Sequence, residues 1–112
     1  MPYSIEIQGE LDRAQKALDE NNEGMVRVCV RRAVGAAVRQ WLAGRARPPA
    51  WGVTAVSQLR AMADDASMPE SIRAAARRLS TTVERDHTLP FDEHPLDDAR
   101  LIIEHFTRSQ QL

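Results

Sequence analysis

The stretch that decides the fold runs from residue 23 to residue 43 and reads EGMVRVCVRRAVGAAVRQWLA. Its apolar residues recur at about 100° per residue, which predicts a helix from Glu23 to Ala43 that stops at Gly44. One apolar face consists of Val26, Val30, Ala33, Ala37 and Trp41, and a second cluster consists of Val28, Val38 and Leu42. A helix with two apolar faces is either the central helix of a bundle or part of an interface between two chains. Gly35 and Ala36 predict the close approach of another helix at its middle.

Four other segments carry the same helical period. The pattern predicts a first helix over residues 4–21 with Ser4 as its N-cap, and a third helix over residues 54–65. Met68-Pro69-Glu70 opens a fourth helix, and a fifth begins near His94-Pro95. No stretch alternates apolar and polar residues over a useful length, so no strand is predicted. The sequence therefore predicts an all-α fold, a four- to five-helix up-and-down bundle formed by residues 1–112 as a single domain.

The charges are segregated along the chain, although the net charge of its 112 residues is only −1. Residues 24–63 contain seven arginines and no acid, whereas residues 1–23 and residues 84–98 contain six acids each. Acidic segments can neutralise the basic one within one chain or between two copies, and nucleic acid is a third partner for it. The candidate residues for binding nucleic acid or a protein partner are Arg27, Arg31, Arg39, Arg45 and Arg47. The near-neutral total and the acidic flanks favour a protein partner over nucleic acid.

Several kinds of site lack their signature in this sequence. Cys29 is the only cysteine, which excludes an intramolecular disulfide and a cysteine-based zinc site. The histidines His87, His94 and His105 have no partner at a metal-ligand spacing, and the glycines form no phosphate-binding cluster. We therefore expect no metal and no cofactor. Residues 1–10 do not resemble a leader and no apolar run approaches about 18 residues, which predicts no membrane span and a cytoplasmic location.

Four segments together carry a family resemblance. They read LDRA at residues 11–14, RRAVGAAV at residues 31–38, LSTTVERD at residues 79–86 and DDARLIIEHF at residues 97–106. In this order, on helices of these lengths, they resemble the HEPN domain, the nucleotide-binding domain named for higher eukaryotes and prokaryotes, over nearly the whole chain. The resemblance implies a four- or five-helix bundle that dimerises. It also implies either a metal-independent ribonuclease or, where the catalytic histidine is lost, a partner of a separately encoded nucleotidyltransferase or a toxin–antitoxin component.

The ribonuclease motif of that family is an arginine, a polar residue directly after it, and a histidine some four to six positions further on. Arg85-Asp86 matches the first half of this motif at the end of the predicted fourth helix. Residues 90–92 read PFD and supply no histidine, while His87 is too near the arginine and His94 is too far from it. The resemblance therefore implies a degenerate motif. Its candidate catalytic residues are Arg85, Asp86, His87 and His94.

A second arginine and histidine, Arg100 and His105, have the spacing of the motif but not its geometry. Five helical steps separate the two side chains by about 140°, so they cannot converge on one phosphate. The sequence thus favours a non-catalytic, HEPN-like binding and assembly module that is homodimeric through the second helix. Two alternatives stay open: a metal-independent ribonuclease that uses Arg85 with His87 or His94, and an arginine-rich bundle that binds nucleic acid.

Overall fold

The helices begin where a side chain can cap them. In the computed structural model, which describes residues 3–43, 45–46, 51–81 and 94–110, Ser4 and Asn22 each accept a hydrogen bond from a backbone N–H three residues on, at 3.2 Å. Thr54 forms a capping box with Ser57. The helices are α1 (Ile5–Asp19), α2 (Glu23–Leu42), α3 (Ala55–Asp64), α4 (Glu70–Ser80) and α5 (Pro95–Gln110). The prediction of an all-α bundle is confirmed, and the described residues contain no strand.

The central helix of the bundle is α2, which packs against α1, α5 and α3. Both predicted apolar faces contribute to the core, whose α2 residues include Val26, Val30, Ala33, Ala37 and Val38. Trp41 and Leu42 are partly buried against that core, whereas Val28 is 37% exposed. A two-faced helix was predicted to be either the central helix of a bundle or part of an interface. Within this single chain, α2 is the central helix. The residues of α2 that are exposed in the described structure are Glu23, Gly24, Met25, Val28, Arg32 and Arg39.

Two sets of contacts fix the C-terminal half of α2. A Cβ atom added at Gly35 would lie 3.5 Å from the Cβ atom of Ala55, so α2 and α3 approach each other closely at the predicted position. The Trp41 ring centroid lies 5.1 Å from that of Phe106 and 6.0 Å from that of Trp51. These aromatic contacts join α2 to α5 and to the segment before α3. No helix within the described ranges is long and apolar enough to cross a membrane.

Candidate functional site

Two of the predicted binding arginines hold the end of α4. Arg27 is only 4% exposed, and its Nη2 donates to the backbone carbonyl oxygens of Leu79 and Thr81. One turn further along α2, Arg31 donates from Nε to the Leu79 carbonyl at 2.8 Å. The last carbonyls of a helix have no partner within it, so these guanidinium groups act as a C-cap supplied by a neighbouring helix. Both side chains are therefore engaged inside the chain.

Burial is the main cause that lowers the pKa of both guanidinium groups. For Arg27 the second cause is the positive charge of Arg31, and for Arg31 it is the positive charge of Arg60 on α3. The ordinary pKa of arginine is so far above 7 that both groups remain charged. The carbonyl groups at the end of α4 therefore receive charge-assisted hydrogen bonds, which are stronger than neutral ones.

The same end of α4 is joined to α5 by a bidentate ion pair. Arg78 donates from Nε and Nη2 to the two carboxylate oxygens of Asp98, at 2.9 Å and 2.8 Å. The Asp98 side chain is buried, so the pair is screened from solvent on the acidic side. Together with Arg27 and Arg31, this pair fixes the positions at which α4 ends and α5 begins.

The predicted catalytic residues are only partly within the described structure. Arg85, Asp86 and His87 lie outside the described residues, as does Arg47 of the predicted binding set. His94 lies directly before α5, where its Nδ1 accepts a hydrogen bond from the backbone N–H of Leu96 at 3.1 Å. This contact gives His94 the role of an N-cap and occupies one of its two ring nitrogens. The catalytic roles of the four residues stay predictions.

The remaining two predicted arginines, Arg39 and Arg45, lie together in a groove. We call it the α2–α3 groove: a depression of about 550 Å³ lined by Arg39, Leu42, Ala43, Arg45, Val53 and Gln58. The Arg45 guanidinium carbon lies 4.7 Å from the centroid of the Trp41 ring, a cation–π contact. Arg39 forms an exposed ion pair with Glu6 of α1. The charge count along the sequence had grouped five arginines. The structure places Arg27 and Arg31 at the end of α4 and Arg39 and Arg45 in the groove, and it does not describe Arg47.

A smaller depression of about 200 Å³ continues the groove toward α1. Arg39, Val53 and Gln58 line both depressions, and the smaller one adds Arg32 of α2 together with Glu6 and Glu10 of α1. Basic residues on α2 therefore face acidic residues on α1 across this second depression. Within the described ranges, no three acidic, histidine or cysteine side chains lie close enough to hold a metal ion.

Three residues in the N-terminal half of α2, Met25, Val28 and Arg32, form what we call the α2 strip. All three are exposed, although Met25 and Val28 are apolar. Their spacing of three and then four residues places them on one side of the helix. Arg32 forms no ion pair with any described residue. Sequence reasoning did not assign a role to Met25 or Arg32, although their spacing from Val28 is a visible signal.

No known protein family, no curated protein and no solved structure matches this chain. The resemblance to HEPN domains therefore rests on the residues quoted from the sequence.

Proposed function

We propose that this chain is a HEPN-like, non-catalytic assembly module that works as a homodimer joined along α2. The observation that carries the proposal is the α2 strip, where two apolar side chains of the central helix, Met25 and Val28, are exposed in the described structure. Through the resemblance, we propose a separately encoded nucleotidyltransferase or another toxin–antitoxin component as its further partner. We also propose the cytoplasm as its compartment.

The chemistry of the strip suits pairing with a second copy. Val28 and Met25 supply apolar surface, and a two-fold axis through the strip brings the same two side chains of both copies together. Charged groups next to the strip are complementary, because Arg32 of α2 and Glu10 of α1 line the same depression. In a two-fold contact, each copy can offer its arginine to the acidic wall of the other. Glu10 already accepts a hydrogen bond from Arg13 at 2.6 Å through Oε1, so the second copy would compete with an existing surface pair there.

The composition of the core also supports association. Aromatic residues make up only 4% of the chain, so the core is built mainly from small aliphatic side chains. A domain of this size buries a modest share of its surface, and a partner that binds only the folded state stabilises it. The proposed homodimer therefore supplies apolar burial that a thin core lacks.

Sedimentation velocity tests the homodimer with one variant and a matched control. We expect the wild-type protein to sediment at twice the chain mass of 12.6 kDa at micromolar concentration. Val28→Glu should sediment as a monomer, because it places a charge at the centre of an apolar contact. The control is Leu101→Glu on α5, where the replaced side chain is 39% exposed and thus as accessible as Val28 at 37%. We expect this control to remain dimeric.

Two outcomes of that experiment oppose the proposal. A wild-type protein that stays monomeric up to about 100 μM would contradict the proposed homodimer. Its dissociation constant would then be too high for a stable assembly. Equal dissociation of the Val28 and Leu101 variants would remove the α2 strip as the interface. Circular dichroism of each variant checks that its helices are retained.

A further inference from the structure

We propose that the α2–α3 groove docks a short acidic segment of a partner protein that carries one apolar side chain. The groove lies on the C-terminal half of α2, whereas the α2 strip lies on its N-terminal half. The proposal therefore goes beyond the homodimer and does not depend on it. The charge, the order and the apolar surface of the groove each favour such a segment.

The charged side chains that line the groove are all basic, and one of them, Arg39, also pairs at the surface with Glu6 of α1. Both charged residues that line it, Arg39 and Arg45, are basic, and residues 24–63 contain no acid. The groove also lies at the start of α3, where the partial positive charge of a helix N-terminus adds to the field. Carboxylates are the groups that two guanidinium groups can receive in bidentate geometry.

The arginine at the outer end of the groove is held in place before any ligand binds. Arg45 lies over the face of Trp41, and no described residue accepts a hydrogen bond from its guanidinium group. A guanidinium group that stacks through its face keeps its N–H groups, which lie in its plane, available to an acceptor. Gln58, only 5% exposed, donates from Nε2 to the Gly52 carbonyl at 3.1 Å and thereby fixes the floor of the groove. A ligand therefore meets an ordered surface, which reduces the entropy lost on binding.

The apolar lining distinguishes a protein segment from nucleic acid. Val53 is 75% exposed and Leu42 is half-buried beside the two arginines, and neither gives a phosphate backbone anything to bind. The aromatic rings nearby offer no free face for a base, because Arg45 covers Trp41 and Trp51 is buried. An aliphatic side chain of a peptide, in contrast, can bury the exposed Val53.

The adjoining acids limit the length of the ligand. Glu6 and Glu10 line the smaller depression into which the groove continues, so an extended polyanion would meet negative charge there. A short segment with two or three carboxylates and one apolar side chain fits within the basic part. The groove thus favours an acidic loop or tail of a partner protein over a continuous nucleic-acid strand.

Fluorescence anisotropy tests the docking site with defined probes. The probes are a labelled hexapeptide EEDLEE, its neutral counterpart QQNLQQ, and a labelled ten-nucleotide oligouridylate. We expect wild-type protein to bind EEDLEE at low salt more tightly than either other probe. Arg39→Gln/Arg45→Gln should weaken this binding about tenfold or more, since each arginine contributes a charge-assisted contact. Because the Arg39–Glu6 pair is exposed, its loss should leave the fold intact.

A matched control separates the groove from general basic charge. Arg100→Gln/Arg108→Gln on α5 is matched in charge. It removes one arginine that forms no ion pair with a described residue and one arginine that is paired on the surface, in this case with Glu104. We expect this control to bind EEDLEE within about twofold of wild type. Equal weakening in both double variants, or no peptide binding at low salt, would overturn the proposal. Tighter binding of oligouridylate that depends on Arg39 and Arg45 would overturn it in favour of nucleic acid.

The mass of the groove variant distinguishes this proposal from the homodimer. We expect Arg39→Gln/Arg45→Gln to sediment like wild type, because the α2 strip is unchanged. A monomeric variant would overturn the docking proposal by showing that a second copy occupies the groove. If Val28→Glu sediments like wild type and still binds EEDLEE, the homodimer along the α2 strip is contradicted and the docking proposal is not.

Discussion

Replacement of Phe106 by alanine is expected to lower the free energy of unfolding by about 3–5 kcal/mol. Phe106 is almost completely buried on α5, and its ring centroid lies 5.1 Å from that of Trp41 and 6.1 Å from that of Trp51. The variant loses the burial of a large side chain, leaves a cavity and loses the edge-on contacts of Phe106 with both tryptophans. Equilibrium unfolding in urea, followed by circular dichroism, measures the change. The total free energy of unfolding of a small domain is about 5–15 kcal/mol, so the expected loss is a large share of it.

The matched control for this prediction is Leu101→Ala on the same helix. Leu101 is exposed, so we expect a loss below about 1 kcal/mol. Phe106→Leu serves if the alanine variant is unfolded without denaturant, because it retains most of the volume and should lose less. A loss below about 1 kcal/mol for Phe106→Ala would show that α2 and α5 are not held together by the aromatic cluster.

The second large effect is expected at the ion pair between α4 and α5. Asp98→Asn should lower the free energy of unfolding by about 3 kcal/mol, because a buried carboxylate that accepts two charge-assisted bonds is replaced by a neutral amide. This is the lower end of the loss expected when a buried ion pair is broken. The Arg78 side chain is 23% exposed, so water can solvate its charge after Asp98 is replaced. Urea unfolding at pH 7 measures the loss, with the helix content of the folded protein as a check.

Asp97→Asn is the control for the ion pair. Asp97 precedes Asp98 in the first turn of α5 but is exposed, so the substitution removes only its interaction with the helix dipole. That interaction is worth about 0.3–1 kcal/mol. Similar losses for the two variants would contradict the assignment of Asp98 as the buried link between α4 and α5.

The fold could be predicted from the sequence because its local signals agree. Apolar residues at helical spacing, together with the cap residue Ser4, define elements whose observed starts lie close to the predicted ones. The predicted end of the fourth helix at Arg85-Asp86 was wrong, because α4 ends at Ser80 and Thr81 already has an extended backbone. The two-faced pattern of α2 predicted either a central helix or an interface, and local periodicity cannot choose between them. The choice depends on which helices return to pack against it, which is a property of the tertiary structure.

The candidate site was less predictable, for a physical reason visible in the arginines. Arg27 and Arg39 are equivalent in a charge count, yet one is buried against the carbonyl end of α4 and the other is exposed in a groove. The helix that needs a C-cap is about fifty residues away in sequence, so no local pattern identifies its donor. Gln58 and Val53 were also not predicted as site residues, because their role comes from the approach of α3 to α2.

The central claim, that two copies meet along the α2 strip, is tested most directly by a single introduced cysteine. Burial raises the pKa of the Cys29 thiol, so the natural cysteine is a poor nucleophile and can be retained. Val28→Cys treated with a short bismaleimide should give a covalent band at twice the chain mass, while wild type and Leu101→Cys should not. Cross-linking of Val28→Cys no faster than that of Leu101→Cys would contradict an interface along α2.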